Sequence, residues 1–346
     1  MIWNQVRHAR WSRAVLRSGV LFMTLAGILN AQTPSPANLD RRLEPNLPTP
    51  LSLITPAMVQ PVVVKLSADE LAGRGAGYAG EKQAGEFIAD EFKRIGLTPA
   101  GDRSGGRRSY FQEFKFHPHH PVGPWELLTS RNVLGFIEGA DPVLKQEIVV
   151  IGAHYDGQGR LGQADPFRLP PLDSKDKDHA IWNSANDNLT GVSAVLAAAR
   201  AIKQGQVTTK RSILFIAFGC EEHGMSGSIE YVTHPAFELN RHVAMINFEK
   251  LGRAPDRPLI AGASGSSPAW REILEHASGL TGTQVNSPIP FVIPDSDHYP
   301  FAATGVPALV LSVSGPDDAH RPADVADKVD YGRVAEYARF GLAILL

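Results

Sequence analysis

The stretch SILFIAFGCEE, residues 212–222, joins an apolar run to two adjacent carboxylates, Glu221 and Glu222. The apolar residues 213–218 predict a buried strand, which we place at residues 212–218. Two acids at a strand end can form a solvated turn, but charges at the tip of a buried strand are costly unless they have a use. Active sites of α/β proteins are built at such tips. There, one carboxylate can bind a metal while its neighbour moves protons.

Apolar spacing predicts further elements on both sides of this stretch. Helical spacing occurs at residues 81–95, 189–202, 268–280 and 331–345, and strand-like runs occur at 132–137, 147–151, 243–248, 258–261 and 308–313. Strands that alternate with helices indicate a mostly parallel central sheet covered by helices on both faces. We therefore predict a single-domain α/β fold.

Residues 158–182 interrupt this alternation with a polar stretch that is rich in Pro and Asp. At about 25 residues it is too long for an ordinary connection. Two interpretations stay open, a tolerated surface insertion and a loop that shapes the mouth of a site.

The first 31 residues have the pattern of an export signal. Arginines 7, 10, 13 and 17 precede an apolar stretch at residues 20–29, which is shorter than the roughly 20 residues that a membrane-spanning helix needs. We predict a signal peptide over residues 1–31, with an uncleaved anchor as the alternative. The aperiodic residues 32–54 are predicted to be an N-terminal arm, and residues 55–346 the folded domain. The mature chain is then secreted or periplasmic and has no membrane-spanning segment.

Charge and cysteine content restrict the partners further. The net charge of the whole chain is −2, and removal of the four leader arginines changes it to −6. A mildly acidic chain without basic runs argues against nucleic acid or an anionic membrane as the partner. Cys220 is the only cysteine, so no internal disulfide is possible. A mature chain of roughly 315 residues can bury a sizeable core without one.

Four further motifs lie at predicted strand or loop ends. They are His154-Tyr155-Asp156, Asn186-Asp187-Asn188, Asn247-Phe248-Glu249 and Asp297-His298. Residues i and i+2 of an extended strand share a face, so Asp156 can orient the ring of His154.

Each motif alone has a structural interpretation. A histidine at a strand end is commonly hydrogen-bonded within the fold, and Asp187 could cap a helix. Glu249 could pair with Lys250 on the surface, and His298 could lie in a loop. Together, two histidines, three carboxylates and a spare glutamate match the ligands that zinc takes. Two metal ions about 3.5–4 Å apart share a bridging carboxylate and can activate one water.

The order of these motifs resembles the di-zinc exopeptidase family, which includes bacterial aminopeptidases, glutamate carboxypeptidases and glutaminyl cyclases. The similarity covers nearly the whole mature chain. It is carried by Leu71-Ala72-Gly73-Arg74-Gly75, by the stretch IWNSANDN at residues 181–188, by Glu221-Glu222, and by His320-Arg321-Pro322-Ala323-Asp324. The resemblance implies that residues 55–346 are a zinc exopeptidase catalytic domain acting on peptides.

The resemblance also implies two zinc ions per chain and a role for each motif. His154 and Glu249 would hold one zinc, Glu222 and His298 the other, and Asp187 would bridge them. Related aminopeptidases carry Asp where this chain has Glu249. Because related carboxypeptidases use Glu there, the change leaves open which end of a peptide is cleaved.

Catalysis would then depend on two further carboxylates. Glu221 would be the general base that takes a proton from water and passes it to the leaving amine. Asp156 would hold the ring of His154. We therefore predict a secreted aminopeptidase.

Three alternatives remain: a carboxypeptidase or dipeptidase of the same family, a glutaminyl cyclase, and a metal-free binding module. Cyclases carry a Trp-containing stretch soon after the glutamate pair, whereas here Glu222 is followed directly by HGMSGS at residues 223–228. A candidate ligand at every position argues against the binding module. The G-x-G-x-x-G pattern at residues 75–80 follows polar residues and not a strand, so it does not indicate nucleotide binding.

Overall fold

The computed structural model describes residues 49–118, 127–161, 163, 181–253, 256–287, 289–313 and 318–346. The predicted signal peptide, most of the predicted arm and the interior of the 158–182 insertion lie outside the described residues. Within the described residues, no helix is both long enough and apolar enough to cross a membrane.

Helices and strands alternate along most of the described chain. The α-helices are α1 Pro56–Leu66, α2 Ala79–Ile95, α3 Thr190–Gln204, α4 Ser226–Thr233, α5 Trp270–Thr281, α6 His298–Ala303 and α7 Tyr331–Leu345. The strands are β1 Thr98–Pro99, β2 Arg103–Ser104, β3 Arg107–Arg108, β4 Phe111–Phe116, β5 Leu128–Ile137, β6 Ile148–His154, β7 Gly159–Arg160, β8 Ile181–Trp182, β9 Ser212–Phe218, β10 His242–Glu249, β11 Leu259–Gly262, β12 Val285–Asn286 and β13 Ala308–Ser312.

One large sheet organises the fold. Its strand order is β1-β5-β9-β6-β10-β13-β11-β12, and β4 also pairs with β5. The four central strands β9, β6, β10 and β13 are parallel, whereas β5 and β11 run antiparallel to their neighbours β9 and β13. The carboxyl ends of the central strands therefore lie along one edge of the sheet, where α/β proteins bind ligands.

Side chains of β9 alternate between two hydrophobic cores because successive residues of a strand point to opposite faces. Residues 213, 215 and 217 pack in the core that includes α1, α2, α3, α5 and α7. Residues 214, 216 and 218 pack in the second core, with Tyr231 of α4 and Phe301 of α6. Helices thus cover both faces of the sheet, which confirms the predicted α/β class. The sheet is parallel at its centre and mixed at its sides.

The two ends of the predicted insertion pair with each other, and the end of the predicted arm packs into the core. Strands β7 and β8 pair with each other and close the base of the 158–182 segment. Leu51 and Ile54, which the sequence pattern assigns to the arm, are fully buried in the larger core.

Glu81 of α2 is a buried carboxyl next to strand β5. The Ser130 hydroxyl donates a hydrogen bond to Glu81 Oε1, and the Gly77 N–H donates to Oε2 at 2.6 Å. Burial, followed by the negative charge of Asp156, raises the pKa of Glu81 from its usual 4.5 to about 8. The folded protein therefore keeps a proton here that the unfolded chain loses above about pH 4.5.

We expect Glu81→Gln to flatten the pH dependence of stability. Between pH 4.5 and about 8 the folded wild type binds one proton more than the unfolded chain at this group, so its free energy of unfolding falls as pH rises. The slope is about 1.4 kcal/mol per pH unit for one proton. The variant has no titrating group at this position, so this part of the fall in its free energy of unfolding is absent. Urea unfolding at pH 5, 6.5, 8 and 9 should therefore show the stability of the variant rising relative to that of the wild type up to about pH 8. A constant difference between the two proteins across this range would contradict the protonated state of Glu81.

Candidate active site

The glutamate pair, the strand-end histidine and Glu249 meet at the carboxyl edge of the sheet. His154 is the last residue of β6 and Glu249 the last residue of β10. Glu221 and Glu222 follow β9, whose final residue Phe218 is in register with His154. Cys220 just before the pair has a φ of +59°, so the chain turns sharply between the strand and the two acids. Parallel register thus brings together side chains that lie far apart in the sequence.

A first imidazole–carboxylate group consists of His154, Asp187 and Glu249. His154 Nε2 lies 3.3 Å from Asp187 Oδ1 and 3.5 Å from Glu249 Oε1. One ligand atom from each of these buried residues lies within 4.8 Å of the other two. This is the grouping that the sequence predicts for one metal ion.

A second group consists of Asp187, Glu222 and His320. His320 Nε2 lies 3.1 Å from Glu222 Oε2 and 3.4 Å from Asp187 Oδ2. The ligand atoms of this group also lie within 4.8 Å of one another. Asp187 presents Oδ1 to His154 and Oδ2 to His320, so its carboxylate lies between the two histidines.

His298, the predicted ligand beside Glu222, belongs to neither of these groups. Its ring is buried, and Nε2 lies 3.8 Å from Asp295. The structure places His320 beside Glu222, where the family resemblance implied His298. The hydrogen bond from Ser228 Oγ to Asp297 at 2.5 Å and the start of α6 at His298 fix this turn, and His298 lines the same cleft as Glu249.

His320 could have been found from the sequence only through its surroundings. It begins the stretch His320-Arg321-Pro322-Ala323-Asp324, which carries part of the family resemblance. Its backbone has a φ of +57°, an uncommon conformation for a residue with a side chain, and such strain tends to occur at functional sites.

Asp156 anchors the backbone of the glutamate pair. Its Oδ1 accepts the Glu221 N–H at 3.0 Å, and its Oδ2 accepts the Glu222 N–H at 3.1 Å. Oδ1 also lies 3.6 Å from His154 Nδ1, beyond hydrogen-bond range. The predicted contact with the ring is thus an electrostatic one, and the stronger structural role of Asp156 is to position the two glutamates.

Asp324 holds the turn that carries Asp187. Its carboxylate accepts the N–H groups of Asn186 and Asp187 and a hydrogen bond from Arg253 Nη2. Burial raises the pKa of Asp324 to about 7. Hydrogen bonds from two successive N–H groups fix the direction of the turn, so the side chain of Asp187 points between the two groups.

Arg74 ties the same turn to the end of β6. Its buried guanidinium donates to the carbonyls of Tyr155, Leu66, Asn183 and Ser184 at 2.8–2.9 Å. Four carbonyls on one planar cation hold the segment before Asp187 against the segment that follows His154. This is the arginine of the Leu-Ala-Gly-Arg-Gly motif.

The site concentrates negative charge in a buried place. Asp187, Glu221, Glu222 and Glu249 are each at most 5% exposed. Burial lowers the pKa of His320, but Glu222 and Asp187 outweigh it and raise that pKa to about 11. Burial likewise lowers the pKa of His154, but Glu249 and its neighbours raise it well above the usual range. Both shifts show how strongly the site favours a cation.

The residues present suit a metal ion. Buried carboxylates need compensating positive charge, and imidazole nitrogen with carboxylate oxygen is a donor set that zinc takes in catalytic sites. Asp187 Oδ2 is buried and accepts no hydrogen bond from any described residue. The chemistry of both groups therefore matches divalent cations, with Glu221 beside them and in neither group.

Comparisons with known proteins identify the family of this chain. Residues 132–345 match the family model of peptidase family M28. The chain is 28% identical over 224 residues to aminopeptidase YwaD of Bacillus subtilis (strain 168), covering 60% of this chain but only 42% of that protein. The chain thus spans less than half the length of this relative.

Two solved structures show the same fold. A zinc aminopeptidase from Bacillus subtilis has a TM-score of 0.63 at 18% identity, covering 84% of this chain and 94% of that chain. A glutaminyl cyclase from Bacteroides thetaiotaomicron has a TM-score of 0.65 at 16% identity, covering 87% of this chain and 99% of that chain. The predicted family resemblance is confirmed. Since the family match extends over more than half of the sequence, the chain belongs to peptidase family M28.

Proposed function

We propose that the chain is a zinc-dependent aminopeptidase that removes N-terminal residues from peptides. The observation that carries this proposal is the pair of imidazole–carboxylate groups that share Asp187. The similarity to an aminopeptidase and to a zinc aminopeptidase, both from Bacillus subtilis, supports the same activity.

Two zinc ions per chain are part of the proposal. His154 and Glu249 would hold one, Glu222 and His320 the other, and Asp187 would contact both. His320 replaces His298 in the ligand set because His320, and not His298, lies beside Glu222. Bound zinc would polarise the substrate carbonyl and lower the pKa of an attacking water.

Glu221 is proposed as the group that moves the proton. Its Oε2 lies 4.0 Å from His154 Nε2, so the carboxylate stands next to the first group. Its backbone is held by Asp156, which keeps the side chain in one place. Glu221 would accept a proton from the attacking water and deliver it to the leaving amine, as a positioned general base does.

The substrate would be oriented by its free N-terminal amine. An amine suits a cluster that holds four buried carboxylates. Cleavage would then fall at the first peptide bond. Carboxypeptidase, dipeptidase, cyclase and metal-free binding activity are the alternatives.

Export is also a proposal. The basic and apolar leader at residues 1–31 supports a secreted or periplasmic location. The boundaries of the signal peptide, the arm at 32–54 and the catalytic domain at 55–346 remain predictions. Sequencing the N-terminus of the protein recovered from the medium or periplasm would give the cleavage site.

A peptide panel tests the proposed activity. Leucine p-nitroanilide and its N-acetylated form are compared, together with N-blocked peptides that have a free C-terminus and with N-terminal glutamine peptides. We expect hydrolysis of the free-amine substrates alone, loss of activity with a chelator, and recovery with zinc. Cleavage of N-blocked peptides from the C-terminus would indicate a carboxypeptidase, and release of pyroglutamyl peptide a cyclase. If no substrate of the panel reacts, the proposal that the chain is an enzyme is contradicted.

A further inference from the structure

Lys250 follows the proposed ligand Glu249 in an unusual backbone conformation. Its φ is +52°, which long side chains rarely adopt. The Asn188 side chain stabilises it, because Asn188 Oδ1 accepts the Lys250 N–H at 3.2 Å and Nδ2 donates to the carbonyl of Phe248. Strain that is held by its surroundings points to a role for the residue that carries it.

The ammonium of Lys250 points at the metal-ligand carboxylates. Nζ lies 3.7 Å from Glu249 Oε1 and 4.0 Å from Asp187 Oδ2, and the side chain is 36% exposed. These are its ion pairs within the described residues. A lysine is protonated at neutral pH, so a positive charge stands at the edge of the site and is reachable from solvent.

Both partners of Lys250 are committed elsewhere under the proposed function. Glu249 and Asp187 would each give their charge to a metal ion. The ammonium would then keep its own charge beside two cations, and the two carboxylates that it contacts would be bound to metal. An anionic group of the substrate would pair with this positive charge.

A small cleft gives the substrate access to Lys250. It has a volume of about 180 Å³, which is smaller than the roughly 300–1,000 Å³ of sites for whole ligands and so suits one side chain or one terminus. Its apolar lining consists of Ile260, Ala263, Ile289, Phe291, Ile293 and Val310. The carboxylates Glu249 and Asp295 also line it, and Lys250 is the one lysine or arginine among its lining residues in the described part of the chain.

We propose that Lys250 is a specificity-determining residue that binds a carboxylate of the substrate through its ammonium group. The inference rests on the proposed peptidase function, because the metal ions release Lys250 from its carboxylate partners. The carboxylate has two chemical sources, the side chain of an acidic N-terminal residue and the C-terminus of a short peptide. The apolar walls would contact the methylene groups that lead to it.

Matched substrate pairs test the proposal and separate the two sources. The first pair is glutamyl and glutaminyl p-nitroanilide, and the second is Ala-Leu and Ala-Leu amide. In one of the two pairs, the wild type should have a kcat/KM about tenfold or more higher for the member that carries the carboxylate. A hydrogen bond to a charged group contributes enough free energy for this difference. In Lys250→Met, which keeps an unbranched side chain one atom shorter and removes the charge, this ratio should fall to about one. Lys250→Arg should retain part of it.

Binding gives a second readout that does not depend on turnover. In a Glu221→Gln background, calorimetry should show the carboxylate peptide binding about tenfold more weakly once Lys250 is replaced by Met. Lys115→Met, an exposed lysine on β4, is the matched control and should change neither ratio. Zinc content is measured in each variant and should equal that of the wild type.

The outcomes distinguish this inference from the proposed function. If the wild type hydrolyses both members of each pair with equal kcat/KM, the role of Lys250 is overturned and the peptidase function stands. A preference that survives in Lys250→Met would also overturn it. Absence of hydrolysis for every substrate would contradict the peptidase itself.

Discussion

Glu221→Gln is expected to lower kcat for a free-amine substrate by about 10²–10⁴-fold, the range that a general base contributes, while zinc content stays at the wild-type level. The glutamine keeps the shape of the side chain but cannot accept a proton. The Glu221 N–H still donates to Asp156, so the backbone of the pair should stay in place. Because Glu221 belongs to neither imidazole–carboxylate group, the metal ions should stay too.

The adjacent residue supplies the matched control. Glu222→Gln makes the same chemical change one position further along, but there it removes a proposed ligand 3.1 Å from His320. We expect this variant to lose zinc as well as activity. Kinetics and elemental analysis of both variants check the pair together. If Glu221→Gln hydrolyses leucine p-nitroanilide at the wild-type rate, Glu221 is not the base. If Glu221→Gln loses zinc while Glu222→Gln keeps it, the two glutamates have the opposite roles.

The second large effect is expected at His320. His320→Ala removes the imidazole from the second group, so zinc affinity at that site should fall by more than the roughly 10–100-fold that loss of an outer partner costs. Activity should fall with it, because Glu222 and Asp187 would hold that zinc alone. Zinc titration with a competing chelator, followed by activity at saturating zinc, measures both effects.

His298→Ala is the control for this prediction. His298 was the ligand expected from the sequence, yet its ring lies 3.8 Å from Asp295 and outside both groups. We expect this variant to keep two zinc ions, with the cost of a buried side chain appearing in its thermal unfolding. Should His298→Ala lose zinc while His320→Ala keeps it, the ligand set proposed from the structure is wrong.

The elements that apolar periodicity specifies were predictable. Residues 212–218 form the strand β9, and residues 331–345 form the helix α7, with the bounds that the pattern indicates. Both segments bury a regular set of apolar side chains. Such periodicity records which face is buried, and it needs no knowledge of the partner elements.

Elements whose stability comes from their neighbours were missed. Helix α1 begins with Pro56 and contains Pro61, which disfavours a helix interior. It forms because Val59, Val62, Val63 and Leu66 are buried in the larger core. Strand β4 was also missed, although its buried residues 112, 114 and 116 alternate with the exposed residues 113 and 115, because the alternating run is short; in the structure the strand pairs with β5 along its whole length.

The candidate site was predictable where strand ends define it. His154, Glu249 and the glutamate pair follow parallel strands whose order sets their proximity. His320 lies 71 residues beyond Glu249 and outside any predicted strand or helix, and no spacing rule fixes where such a residue lies in the fold. The choice between His298 and His320 therefore depends on tertiary contacts, such as the Ser228–Asp297 hydrogen bond, that the sequence does not display.

The most direct test of the two-metal site is a crystal structure of the zinc-loaded protein with anomalous diffraction recorded at the zinc edge. We predict two peaks, one on each side of the Asp187 carboxylate. His154 and Glu249 should contact the first and Glu222 and His320 the second, at the roughly 2.0–2.2 Å typical of zinc with nitrogen and oxygen ligands. A single peak, no peak, or a zinc ion held by His298 would contradict the site.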